Sequence, residues 1–218
     1  MAPSTRHGCG NRAPQGRDTD GMHRTLFTTP VVRPALRAVS ILVLRLAGWT
    51  VEGRLDPLAA RSVVIGAPHT SNWDLPWTLM TAYALDLNLY WMGKDSLFRP
   101  PFGPVMRWLG GISVDRSRST GLVAASVAAL RAADGPVQLA VPPAGTRSDT
   151  VAWKTGFHFI ARGAGVPIVL AYMDYGQRRV GLGPIFWPTE DTEADILRIR
   201  AFYEPMRGRN ASTPSPKD

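Results

Sequence analysis

Apolar and polar positions along this chain repeat at two different spacings. From Pro34 to Gly48 the apolar residues recur every three or four positions. At about 100° per residue, Ala35, Val39, Leu42 and Leu46 share one helical face, while Arg33, Arg37 and Arg45 gather on another. The pattern predicts an amphipathic helix over 34–48. Its longest charge-free run, Ala38 to Leu44, falls far short of the roughly 20 apolar residues that span a bilayer. Such a helix either rests on an acidic membrane surface or packs on its own domain with the arginines in water, and spacing leaves both readings open.

After Gly53 the spacing shortens. Ser62 to Gly66 is apolar and β-branched, the signature of a buried strand. A polar turn, APHTSNWDLPW, then leads into a helix ending near Leu85. Further strands are predicted at 88–92, 111–115, 137–141 and 166–172, with an edge strand at 179–182. A short helix is predicted over 105–109. The Ala-rich segment 119–132 and the segment 191–203 read as helices, the latter with acidic residues at its positive end. Strands alternating with helices predict an α/β fold: a single layered domain over 26–206, with a mostly parallel or mixed central sheet flanked by helices. No internal repeat and no glycine-rich dinucleotide loop occurs, and GAPHTSN has the wrong glycine spacing for a phosphate fingerprint.

Residues 1–25 and 207–218 are poor in apolar types and read as disordered tails, the first without the apolar run of a secretory signal. At 44% apolar residues the 218-residue chain has the composition of a globular protein. A formal net charge of +8 favours anionic partners. Dispersed arginines without a recognition motif argue against nucleic acid. Cys9 is the single cysteine, so neither an internal disulfide nor a thiolate metal cluster can form. His7, Cys9 and His23 sit in the loose tail, and no metal site is expected.

His69 follows the first strand and Asp74 lies five residues on. On one continuous helix that offset puts them about 140° apart. They can meet only if His69 precedes the helix and Asp74 lies in its first turn, with Ser71 as N-cap and Asp74 as the third helical residue. A neutral imidazole so placed can take a proton from a hydroxyl, and a carboxylate on its other nitrogen fixes the tautomer. Backbone N–H groups at the helix start are candidate donors to an oxyanion. Equally, Ser71 to Asp74 is an S-x-x-D capping box that requires no chemistry. A serine hydrolase would need a G-x-S-x-G elbow, which is absent.

Lys94, Arg116 and Arg147 also fall just after predicted strands. In open α/β sheets ligands gather at the carboxyl ends of strands. Convergence there would suit a phosphate-bearing substrate; four unrelated surface loops are the plain alternative. Trp73, Trp77, Trp91, Phe98, Phe102 and Trp108 lie near these loops, as channel lining, interface or core.

The blocks APHTSNWD, GKDSLFRPPFGPVMRWLGGISVDRS, PPAGTRS and GVPIVLAY stand in order, with WKTGFHFIA between the last two. Over roughly residues 46–175 the chain resembles the glycerolipid acyltransferase family, typified by 1-acylglycerol-3-phosphate acyltransferases, in its short bacterial form. The resemblance implies transfer of a fatty acyl group from acyl-CoA or acyl-carrier protein, as donor substrate and not bound cofactor, to a lipid hydroxyl. It implies His69 as general base and Asp74 as its partner. Arg116 and Arg147 would position a phosphate-bearing acceptor, with Gly145 and Thr146 shaping the loop; Lys94 joins the substrate-binding set from its place after a strand alone. It also implies peripheral attachment to an anionic membrane surface at the cytoplasmic face.

One position departs: Ala144 stands where the family block carries glutamate. Alanine accepts no hydrogen bond and offsets no arginine charge. A different acceptor, an engineered inactive form, or a non-catalytic lipid-binding or membrane-surface protein are the alternatives that follow.

Overall fold

The computed structural model describes residues 25–68, 71, 73–114, 119–143 and 153–210. Seven strands form one sheet: β1 (Thr50–Glu52), β2 (Arg61–Ala67), β3 (Leu89–Lys94), β4 (Gly111–Val114), β5 (Val137–Ala140), β6 (Ile168–Asp174) and β7 (Arg179–Phe186). Their spatial order is β1-β7-β6-β2-β5-β3-β4. The five strands from β6 to β4 are mutually parallel, whereas β7 runs antiparallel to β6 and β1 parallel to β7. The fold is the α/β class expected, with a mixed, mostly parallel sheet flanked by helices.

β2 is central. Val63 to Ala67 pair with Ile168 to Tyr172 of β6, and Arg61 to Val64 pair with Val137 to Ala140 of β5. Covered on both faces, β2 is an almost continuous apolar run, as parallel strands inside a sandwich of helices must be. One face carries α1 (Val32–Leu46) and α2 (Asp74–Ala84), where Phe27, Tyr83 and Leu87 pack on Val64 and Val169. The other carries α4 (Ser119–Ala132), α5 (Gly156–Ala164) and α6 (Thr192–Tyr203), where Leu130, Phe157, Ile160 and Ile199 pack on Val63, Ile65 and Leu139. A short α3 (Gly103–Trp108) precedes β4. Buried polar groups are tied to the backbone. Gln138 accepts from the Asn88 N–H at 2.6 Å and donates to Ala60 O at 2.8 Å. The Tyr203 hydroxyl reaches the carbonyls of Ile65 and Ala171, one on each of the paired strands β2 and β6.

Two differences from the sequence reading have physical causes, and one point that it left open is decided. β7 is not the sheet edge, because the three-residue β1 pairs beyond it; lying between Gly48 and Gly53, β1 is too short to show a period. α5 is not among the predicted helices because its nine residues are fewer than the window over which a helical period can be counted. α1 is turned over. Leu44 and Ser40 are buried and Leu36 and Ile41 partly so, while Val39, Leu42 and Leu46 are 55%, 56% and 79% exposed.

α5 and α6 are joined by a buried pair. His158 Nε2 and Asp195 Oδ2 lie 2.8 Å apart with both side chains fully buried, and Thr189 donates to the same oxygen through its N–H and hydroxyl. Burial pushes the Asp195 carboxyl up, but the hydrogen bonds from His158 and Thr189 outweigh it and hold the group below its ordinary range. Replacing His158 with Leu strands that carboxylate and should lower unfolding free energy by about 3–5 kcal/mol in urea titration. A folded-state pKa below the unfolded one gives stability that is complete above the unfolded value. The stability lost in Asp195→Asn should therefore be full at neutral pH and shrink as the pH falls below about 4.

Candidate active site

Because β2, β3, β4, β5 and β6 are parallel, their carboxyl ends meet along one rim of the sheet. The chain leaves β2 for α2 on one face and reaches β6 from β5 through α5 on the other. Adjacent strands whose connections depart to opposite faces open a crevice between their ends, the usual ligand position in such sheets.

Asp74 stands at this rim as the first residue of α2 and is only 1% exposed. Its Oδ2 accepts the Ser71 N–H at 2.9 Å, and its Oδ1 accepts the Tyr175 hydroxyl at 2.8 Å. The reach from Asp74 back to Ser71 N–H is one half of the capping box read from the sequence. Ser71 Oγ accepts from Trp73 N–H at 3.2 Å. The helix starts later than expected, with Trp73 and not Ser71 preceding it. The N–H groups of Ser71, Trp73 and Asp74 all donate within this turn. Those three are committed, so an oxyanion must find its donors elsewhere.

Tyr175 follows β6 directly, and its position is set by Asp174. That buried carboxylate accepts through Oδ1 from the N–H groups of Gly176, Gln177 and Arg207, at 2.9, 3.3 and 3.3 Å. Tyr175 N–H in turn donates to Arg207 O at 2.9 Å. The turn after β6 is thereby tied to Arg207, the first residue of the stretch 207–218 that composition alone reads as a tail. The Tyr175 ring meets Trp49 edge to face at 5.0 Å, and Trp49 tilts onto Trp77 at 5.5 Å. Trp49 is delivered by the end of α1. Gly48, at φ 76°, closes the helix so that Trp49 N–H reaches Leu44 O and Gly48 N–H reaches Arg45 O. That left-handed closure suits glycine.

Ala47, Trp49, Trp77, Tyr175, Arg178 and Arg209 line a cleft of about 260 Å³. Arg209 lies 5.4 Å from the Trp73 ring, a cation–π contact. The Tyr175 hydroxyl is pushed well above its ordinary pKa, first by burial and then by Asp74 holding its proton, with Arg209 pulling the other way.

Of the residues singled out from sequence, Asp74 is placed fully. Lys94 is the last residue of β3, paired through its backbone with Val114 of β4. His69, Arg116, Ala144, Gly145, Thr146 and Arg147 lie outside the described residues. By chain position His69 comes two residues past the end of β2, Arg116 two past β4, and Arg147 seven past β5. The aromatic residues divide. Trp77 enters the cleft, Phe98 is buried against Trp91, and Trp73, Phe102 and Trp108 are exposed. Trp49, Asp174, Tyr175, Arg178 and Arg209 escaped the sequence reading. Tyr175 obeys the rule that found Lys94, and was missed because β6 runs two residues beyond the predicted strand end. Among the described residues no group of three or more His, Cys, Asp or Glu can hold a metal ion.

A family model described as Acyltransferase matches residues 49–173, more than half of the chain. The chain belongs to the acyltransferase family. No curated protein matches it by sequence. A similar solved structure is the 1-acyl-sn-glycerophosphate (LPA) acyltransferase PlsC from Thermotoga maritima, at 17% identity and TM-score 0.55 over 83% of this chain and 82% of that one. At that identity the likeness speaks for the fold. It supports for this acyltransferase-family chain the same α/β architecture.

The Asp174 turn is directly testable. Removing its carboxylate in Asp174→Ala leaves three N–H groups without their acceptor, at a cost of about 1–3 kcal/mol. Amide hydrogen exchange should accelerate at Gly176, Gln177 and Arg207 while the core of β2 stays protected.

Proposed function

We propose that this chain transfers a fatty acyl group from acyl-CoA or acyl-carrier protein to the hydroxyl of a lysophospholipid, by default 1-acylglycerol-3-phosphate. One observation carries the reading. In a chain of the acyltransferase family, Asp74 is a buried carboxylate held from two sides at the carboxyl end of β2, five residues after the only histidine of the APHTSNWD block. In this reading Asp74 orients His69. The imidazole takes the proton from the acceptor hydroxyl as the oxygen attacks the thioester carbonyl. The tetrahedral intermediate collapses, the C–S bond breaks, and the imidazolium returns its proton to the departing thiolate. The products are an ester and a free thiol, and no acyl-enzyme forms. Lys94, Arg116 and Arg147 hold the acceptor phosphate, with Gly145 and Thr146 shaping that loop; three cations on neighbouring strand ends suit such a group.

The second reading is a lipid-binding or membrane-surface protein without turnover, favoured by Ala144 in place of an acidic residue. Both readings use the same attachment. Among the described residues no helix is long and apolar enough to cross a membrane. The outward face of α1 exposes Val39, Leu42 and Leu46, with exposed Arg45 at its border, the chemistry of a helix lying in an anionic interface. Peripheral association at the cytoplasmic face follows from this reading.

Thiol release from a panel of acyl thioesters, with and without lysophospholipid acceptors, tests the reaction. His69→Ala and Asp74→Asn should each lower turnover by about 10²–10⁴. Turnover unchanged in His69→Ala rejects the mechanism. Restored turnover only in Ala144→Glu would identify residue 144 as the lesion. Flotation on vesicles tests attachment: a Val39→Asp, Leu42→Asp double variant should lose binding to anionic vesicles without loss of thermal stability, since neither side chain is in the core.

A further inference from the structure

Asp74 can orient a neighbouring imidazole only if its own carboxylate plane is fixed. A short side chain at the first residue of a helix turns freely unless both oxygens are engaged. Ser71 N–H engages Oδ2 from within the same turn. The other constraint comes from 101 residues away in sequence, through the Tyr175 hydroxyl on Oδ1 at 2.8 Å. An ionised carboxylate only accepts, so the tyrosine must donate. A carboxylate offers about four acceptor positions, and both bonds are compatible with a further one to imidazole.

The donor is itself immobilised. Tyr175 N–H is held by Arg207 O, and the flanking Asp174 binds the next two amides. The ring rests edge-on against Trp49, which is buried and fixed by the closed end of α1. Burial and Asp74 push the hydroxyl's pKa up, so the proton it donates to Asp74 is retained at neutral pH.

We propose that Tyr175 is a positioning residue of the acyl-transfer centre, fixing the Asp74 carboxylate from the β6 side so that Asp74 can hold the general base. The proposal rests on the reading of His69 and Asp74 given above. It places the turn after β6, beyond the last matched block, within the machinery of the site.

The test uses the full chain and the variants Tyr175→Phe, Asp74→Asn and the pair combined. Each is checked by thermal melting, and Tyr175→Phe keeps the ring contact with Trp49. Two quantities are measured: acyl transfer to 1-acylglycerol-3-phosphate, and the titration midpoint of the His69 imidazole signal in NMR, identified by its loss in His69→Ala. Loss of a hydrogen bond to a charged group should lower kcat about ten- to a hundredfold in Tyr175→Phe, with KM within about twofold. The His69 midpoint should move in the same variant. In the Asp74→Asn background the same substitution should change neither, because its effect passes through the carboxylate. In a chain without turnover the midpoint alone decides. A Tyr175→Phe variant with kcat and midpoint unchanged, beside an impaired Asp74→Asn, overturns the role of Tyr175 and leaves the general-base reading standing. An effect that carries undiminished into the Asp74→Asn background also overturns it, as the mark of a merely structural residue. If Asp74→Asn itself alters neither quantity, the general-base reading falls and this role falls with it.

Discussion

A carboxylate removed from water must be supplied with donors by the protein around it. That requirement at Asp74 ties together parts of the chain that are otherwise remote. One donor comes from the turn after β2 and another from the turn after β6. They can meet only because β2 and β6 are adjacent and parallel, in a register that sets Ala67 against Tyr172. A one-residue slip in that pairing would turn every β6 side chain to the opposite face. The register is held by the apolar residues of both strands and by the Tyr203 hydroxyl, which grips a carbonyl on each. The core and the site are therefore parts of one arrangement: helix α6 clamps the strand pair that aligns the carboxylate with its donor.

The same carboxyl rim explains why the polar residues of interest follow strands. Inside the sheet the strands are apolar and closed to water. Chemistry-bearing groups can appear only where the strands end, and parallel strands all end together. β7 and β1 run the other way, so their starts and not their ends face this rim, and there they bring Arg178 and Trp49 to the cleft. The mixed character of the sheet is thus confined to the flank away from β5, β3 and β4, whose loops carry Lys94, Arg116 and residues 144–147.

How much of this was legible in the sequence depended on whether the signal was local. Strands β2 to β6 and helices α2, α4 and α6 were readable from period and caps, because burial on one or two faces writes itself into neighbouring residues. The place of Asp74 in the first turn of α2 was readable from spacing, since a helix start is a local matter. Tyr175 and Trp49 were not. Each is an ordinary aromatic by composition, and only the pairing of β6 with β2 and the closure of α1 at Gly48 bring them to Asp74. Arg209 lay in a polar stretch with no period, yet Arg207, two residues before it, is held by Asp174 and Tyr175. Long-range hydrogen bonds leave no trace in hydrophobic patterning, and it is these that complete the site.

α1 shows the converse case, where the pattern was plain and its orientation was not. The helix carries two apolar stripes. One runs through Leu36, Ser40 and Leu44, the other through Ala35, Val39, Leu42 and Leu46. The first contains a serine and is by that measure the poorer core face, yet it is the one packed inward. Leu44 packs in one cluster with Trp49 at the closed end of the helix, and Trp49 there reaches Tyr175 and Trp77. With the end of the helix fixed by the site, its rotation about its own axis is fixed as well. The more apolar stripe is then left outward, where each exposed leucine forgoes about 1.5–3 kcal/mol of burial. A helix turned this way gains from an apolar partner beside its arginines, and that gain is the physical basis for the proposed attachment to a lipid surface.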